Sequence, residues 1–131
     1  MSGALICDFD FFRTLYQAKA RQIVRTGEAV HVALLTVKSR SRKELARRSL
    51  EIAMDNLEEQ IRVSLRKGDA VTRCSGSQFI IMLPQANYEN SVMVCGRIKD
   101  SFNRQYPHSP VKVDCFVQAL QPAEDSYQSK I

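Results

Sequence analysis

Glycine and proline are scarce, at five and four of 131 residues, which excludes a collagen-like or low-complexity chain. No apolar stretch approaches the roughly 18 residues that a membrane span requires, so no membrane contact is expected. The opening residues lack a basic segment and set Asp8 and Asp10 where a secretory signal would be apolar. None of the four cysteines, Cys7, Cys74, Cys95 and Cys115, sits in a C-x-x-C pair. The two histidines, His31 and His108, lie far from them in sequence, which gives a zinc site little footing. The cysteines are instead expected to be small buried hydrophobes. G-x-x-x-x-G-K-S/T, G-x-G-x-x-G and H-E-x-x-H are all absent. These absences lead to the expectation of a cytoplasmic domain without a cofactor or a metal.

What is present resembles an ordinary folded domain. Hydrophobic residues make up 44% and charged residues 25%, close to the globular average. A chain this long buries roughly two-thirds of its unfolded surface. The net charge is +5, and much of the excess lies between Lys38 and Arg48. Such a run is either a solvated loop and helix start or a contact for nucleic-acid phosphates. Aromatic residues do not interleave with it, so it offers no stacking platform for single strands.

Periodicity predicts a helix from Asp8 or Asp10 to Thr26, with Phe12, Leu15, Tyr16, Lys19 and Ile23 on one stripe and Gly27 ending it. His31 to Val37, rich in β-branched residues, predicts a strand buried on both faces, followed by a polar loop from Lys38 to Arg42. A long helix is expected from Arg42 to Leu65, with Leu50, Ala53, Met54, Leu57, Ile61 and Leu65 inward. Within it Arg47–Glu51 is an attractive four-residue spacing and Asp55–Glu59 a repulsive one. Strands from Asp69 to Cys74 and Gln78 to Leu83 flank the small polar Ser75-Gly76-Ser77, a hairpin signature. A third helix should run from Tyr88 to Gln105, capped by Asn87, with Val92, Cys95, Ile98, Lys99 and Phe102 near one face. A last strand should run from Val111 to Leu120. This order predicts an α+β fold, a mixed sheet with a central hairpin flanked by helices. Residues 1–120 form the expected domain and 121–131 a polar tail.

The hairpin carries a family resemblance. Arg66, Asp69, Arg73, Gly76 and Phe79 fall in the register R-x-x-D, three residues, then R-x-G-G-D/E-E-F. The chain therefore resembles the GGDEF (diguanylate cyclase) family over roughly Ala4 to Leu120, with Ile80 to Pro84 as the following strand. The resemblance implies a nucleotide-cyclase-like sheet. It also implies, for an active member, synthesis of cyclic di-GMP from two GTP molecules held by a dimer, with carboxylates holding Mg²⁺. Those carboxylates would come from the end of the first family strand and from the turn. Here the strand end reads Thr36 and Lys38, and the turn reads Ser75-Gly76-Ser77-Gln78 before Phe79. Ser75 replaces a glycine, Ser77 the metal carboxylate and Gln78 the following acid. Phosphoryl transfer rests on metal-borne charge and positioning, and losing one such stabilising group typically costs on the order of 10²–10³-fold. No catalytic residue and no enzyme activity are expected.

The expected function is a non-catalytic regulatory or interaction domain, part of a bacterial signalling or transcription regulator. It would act by homodimerisation or contacts with a protein partner, and meet DNA only through other domains. The stretch from Ser75 to Tyr106 is also similar to the tail region of response-regulator-like transcriptional activators. Two alternatives stand beside this. Arg66 and Asp69 match the R-x-x-D motif that binds cyclic di-GMP in many family members, which implies a cyclic di-GMP or GTP sensor. The plainer reading makes Arg66 a helix-end cation and Asp69 a strand start. The other alternative is nucleic-acid contact through residues 38–48. Ser75, His108 and Asp114 also form a catalytic triple on paper, and His31 is expected to be structural. Family members continue past the last strand with another helix and strand; only eleven residues follow Leu120, so an edge strand is expected to stand open for pairing.

Overall fold

The described residues form three 18-residue helices interspersed with five strands. A computed structural model describes residues 3–123; most of the polar tail lies outside the described residues. The elements are β1 (Leu5–Ile6), α1 (Phe9–Thr26), β2 (Val30–Ser39), α2 (Arg47–Ser64), β3 (Ala70–Ser75), β4 (Gln78–Pro84), α3 (Tyr88–Gln105) and β5 (Val111–Ala119). They form one five-stranded sheet in the order β1-β3-β4-β2-β5. β1 runs parallel to β3, and the remaining neighbours are antiparallel. The mixed sheet and its central hairpin are as the sequence predicts.

Strand alternation splits the core into two layers. Leu35, Val71, Phe79, Ile81 and Leu83 face α2 and α3, meeting Met54, Leu57, Ile61, Ile98 and Phe102. Val30, Val32, Ala70 and Met82 face the opposite way and meet Phe12, Ala20 and Ile23 of α1. One helix covers less of a sheet than two. A groove of about 420 Å³ consequently opens beside α1, lined by Phe9, Phe12, Tyr16, Leu34, Ile80 and Phe116 among others.

Local chemistry sets the helix ends. The Asp8 side chain accepts the Phe11 N–H at 2.8 Å, and Gly27 ends α1 at φ 68°, a left-handed conformation that costs glycine little. Lys19 interrupts the apolar stripe without an unpaired charge, because Glu28 lies 3.7 Å away. Asn87 caps α3 through the Asn90 N–H at 2.7 Å.

Several expectations need correction. β1 leaves no signal in the sequence, since two residues carry no periodicity. α2 begins at Arg47 rather than Arg42. The Ser39 and Ser41 hydroxyls accept the N–H groups of Ser41 and Lys43, local bonds that compete with a helical turn. Arg40 is also tied to β5, its N–H to the Pro110 carbonyl and its Nε–H to that of Val111, both at 2.9 Å. That pairing extends β2 through Lys38 and Ser39, where the sequence predicts a loop. α2 ends at Ser64, before the expected Leu65, and β5 ends at Ala119. Val92 is 42% exposed, and Ser91 takes its place on the inward line with Cys95, Ile98 and Phe102. Only Cys95 among the cysteines is fully buried; Cys7, Cys74 and Cys115 are half-buried. The repulsive Asp55–Glu59 spacing is relieved by cations, Arg73 at Asp55 and Arg62 at Glu59.

Candidate functional site

The β3–β4 hairpin places the signature turn beside the far end of β2. Thr36 lies opposite Gln78 in the ladder, and Phe79 lies opposite Leu35. The Val37 N–H donates to the Ser77 carbonyl at 2.8 Å, fastening the turn to β2. Phe79 is 1% exposed and anchors the turn in the core, which explains an aromatic at that position.

Neutral side chains occupy the space between strand end and turn. The Ser77 N–H donates to the Ser75 hydroxyl at 3.2 Å, and that hydroxyl donates to Gln78 Oε1 at 3.0 Å. Gln78 Nε2 then donates to Thr36 Oγ1 at 3.3 Å. Gly76 has no positive φ and open space where a Cβ would stand, so the turn itself does not demand glycine there. A register shift between Arg73 and Ser75 leaves Cys74 as the extra residue of a bulge.

Lys38 lies on the same face of β2 as Thr36. Its Nζ sits 2.9 Å from Asp114 Oδ2 on β5. That bond, with help from the Lys112 and Lys99 charges, holds the Asp114 carboxyl below the usual range. Asp114 is opposite Thr36 in the β2–β5 ladder. Sequence spacing could not link it to the site, because the link is a strand pairing across most of the chain.

The R-x-x-D pair is brought together. Asp69 is 2% exposed and accepts the Arg66 N–H at 2.7 Å through Oδ2 and the Arg66 guanidinium at 3.4 Å through Oδ1. The same guanidinium nitrogen donates to the Pro84 carbonyl at 2.7 Å, closing the start of the hairpin. Arg73 joins the hairpin to α2 through Glu58 at 2.8 Å and Asp55 at 2.6 Å, and lies over the Phe79 ring.

The remaining residues are dispersed. Ser75 is at the hairpin, His108 in the α3–β5 turn and Asp114 on β5 with Lys38, so the paper triple is not assembled. His31 Nδ1 donates to the Ala86 carbonyl at 2.7 Å and its ring meets Tyr88 edge-on, a structural use. The basic segment is divided: Lys38 pairs with Asp114, Arg40 with the β5 backbone and Arg47 with Glu51.

This arrangement of sheet, hairpin and helices matches solved structures over nearly the whole chain. An active GGEEF domain of a diguanylate cyclase from Vibrio cholerae superposes with a TM-score of 0.74 at 12% identity, covering 93% of this chain and 82% of that one. The GGDEF domain of DgcB from Caulobacter crescentus, in complex with c-di-GMP, gives 0.73 at 9% identity over 94% and 78%. Diguanylate cyclase SiaD from Pseudomonas aeruginosa, in complex with its activator SiaC, gives 0.71 at 16% over 94% and 50%. The chain has the GGDEF-domain fold. No family model and no curated protein matches the sequence.

Within the GGDEF fold, magnesium is the ion the resemblance implies. A hard dication wants several oxygen ligands including carboxylates. Thr36, Lys38, Ser77 and Gln78 supply two hydroxyls, an amide and an ammonium, and Lys38 already neutralises the neighbouring Asp114. This donor set does not fit Mg²⁺. Among the described residues no group of three or more His, Cys, Asp or Glu is placed to hold a metal. No described helix is long and apolar enough to cross a membrane.

Proposed function

We propose that this GGDEF-fold domain is a non-catalytic regulatory or interaction module of a bacterial signalling or transcription regulator. One observation carries the reading. Where the resemblance calls for metal carboxylates, Gln78 is bonded to Thr36 and Lys38 is bonded to Asp114. A dication entering there would meet an ammonium at close range and no free carboxylate among the four positions. The scaffold around the turn is nonetheless intact, with Phe79 buried and Arg73 clamped to α2. A rigid domain of this kind serves by contact. The β5 edge, where Phe116 is 61% exposed, is the surface we assign to pairing with a second copy or a protein partner.

The test is direct. Purified protein is incubated with GTP and Mg²⁺ or Mn²⁺, and product is followed by chromatography while metal binding is followed by calorimetry. The expected result is no turnover and no metal binding. Either one at a rate or affinity above the buffer control overturns the proposal.

A sensor reading keeps one supporting observation: the Arg66 side chain is 57% exposed and available to a ligand guanine or phosphate. Against it, both Asp69 oxygens already accept bonds from Arg66. Calorimetry with cyclic di-GMP and with GTP separates the readings. Micromolar binding lost in Arg66→Ala would favour the sensor, and silence would favour the contact module.

A further inference from the structure

Two cysteines far apart in sequence face one layer of the core. Cys95 lies on the inward line of α3 with Ser91, Ile98 and Phe102 and is 3% exposed. Cys115 lies on β5, on the strand face that also carries Val111 and Val113 into the same core layer. Helix α3 packs on β5, so helical and strand periodicity independently turn both thiols into one interlayer space. Cys95 belongs to that core cluster, and Cys115 packs against it.

Their surroundings differ. Cys95 is sealed in the core, whereas Cys115 sits on an edge strand and is half-buried. Lys99 follows Cys95 by one helical turn and brings its ammonium toward Cys115. Donation from Cys95 lowers the Cys115 pKa below the ordinary thiol value, burial opposing and Lys99 assisting. Bonding to Cys115 and burial push Cys95 far up. The other two thiols lack this arrangement. Burial, then the Asp8 charge, raises Cys7, and burial raises Cys74.

We propose that Cys95 and Cys115 form a reactive thiol pair that a hydroperoxide converts to a reversible disulfide joining α3 to the edge strand β5. The Cys115 thiolate attacks a peroxide oxygen, the O–O bond breaks, and the departing hydroxide or alkoxide takes up a proton. Cys115 becomes a sulfenic acid, a two-electron oxidation. The Cys95 sulfur then displaces that hydroxyl, its own proton leaving with it as water, and the S–S bond forms. An external dithiol reverses the step by exchange. The consequence is mechanical: the strand assigned above to pairing becomes stapled to the helix layer behind it. The chemistry itself does not depend on that assignment.

The experiment uses the full chain treated with hydrogen peroxide, quenched by alkylation and digested for mass spectrometry. The expected product is a single linked peptide pair holding Cys95 and Cys115, removed by dithiothreitol. Cys115→Ser abolishes the link. Cys95→Ser leaves a Cys115 sulfenic acid that dimedone captures. Lys99→Gln slows Cys115 alkylation without changing that of Cys7 or Cys74. Oxidation of Cys7 or Cys74 ahead of Cys115 overturns the proposal, as does a Cys115 that oxidises to sulfinic acid in the wild type without linking to Cys95. The wild-type measurement decides the matter even if a serine variant folds poorly.

Discussion

Gln78 spans the β2–β4 ladder to Thr36 with an amide-to-hydroxyl hydrogen bond of 3.3 Å. The two residues are cross-strand partners, so the bond is a consequence of register. It joins the strand end directly to the signature turn.

The first prediction concerns this bond. Thr36→Val keeps the strand shape and removes the acceptor. A partly buried neutral hydrogen bond contributes about 0.5–1.5 kcal/mol, so urea unfolding should show a loss in that range. GTP turnover should be the same before and after, at background. A loss near zero would mean that Gln78 is held by the turn alone.

The second concerns the R-x-x-D pair. Asp69 is buried and accepts the backbone N–H of Arg66, whereas the Arg66 side chain is largely in solvent. Asp69→Ala should therefore cost about 1.5–3 kcal/mol, the range for a hydrogen bond to a charged group. Arg66→Ala should cost less than about 1 kcal/mol, since exposed pairs contribute little. Thermal melts of the two variants test the ranking. Equal losses would refute the structural role given to Asp69.

The third concerns pH. The Asp114 pKa is lowered in the folded state, chiefly by its bond to Lys38. A lowered carboxyl contributes stability above its unfolded pKa, near 4, and that contribution disappears as pH falls through the folded value. The pair is about half exposed on each side, so water and salt screen it and the effect is small. Asp114→Asn should flatten the fall in Tm at the acid end of a pH 6 to 3 series at low salt. The difference should shrink in high salt. A variant that is more salt-sensitive than wild type would contradict the assignment.

The fourth concerns the layer beneath the turn. Leu57 of α2 is fully buried in the larger core cluster, which also holds Phe79. Leu57→Ala should cost about 2–5 kcal/mol, from lost transfer energy and an unfilled cavity. Ile52→Ala, at a position 46% exposed on the same helix, should cost far less. Denaturant midpoints with unchanged slopes would bear out the contrast.

The sequence alone determined the layers of this protein. Helical and strand periodicities marked α1, α2, α3, the hairpin and β5, because burial of one face leaves a repeating mark on the chain. The register from Arg66 to Phe79 marked the turn and the neutral residues in it. Tertiary structure decided what pairs with what. Asp114 reaches Lys38, Cys115 faces the core layer that holds Cys95, and Arg40 holds β5 only because strands and helices distant along the chain come to lie side by side. The two-residue β1 and the late start of α2 were hidden for the same reason. Each is set by hydrogen bonds to a neighbouring segment or a local hydroxyl, and such bonds leave no period in the sequence.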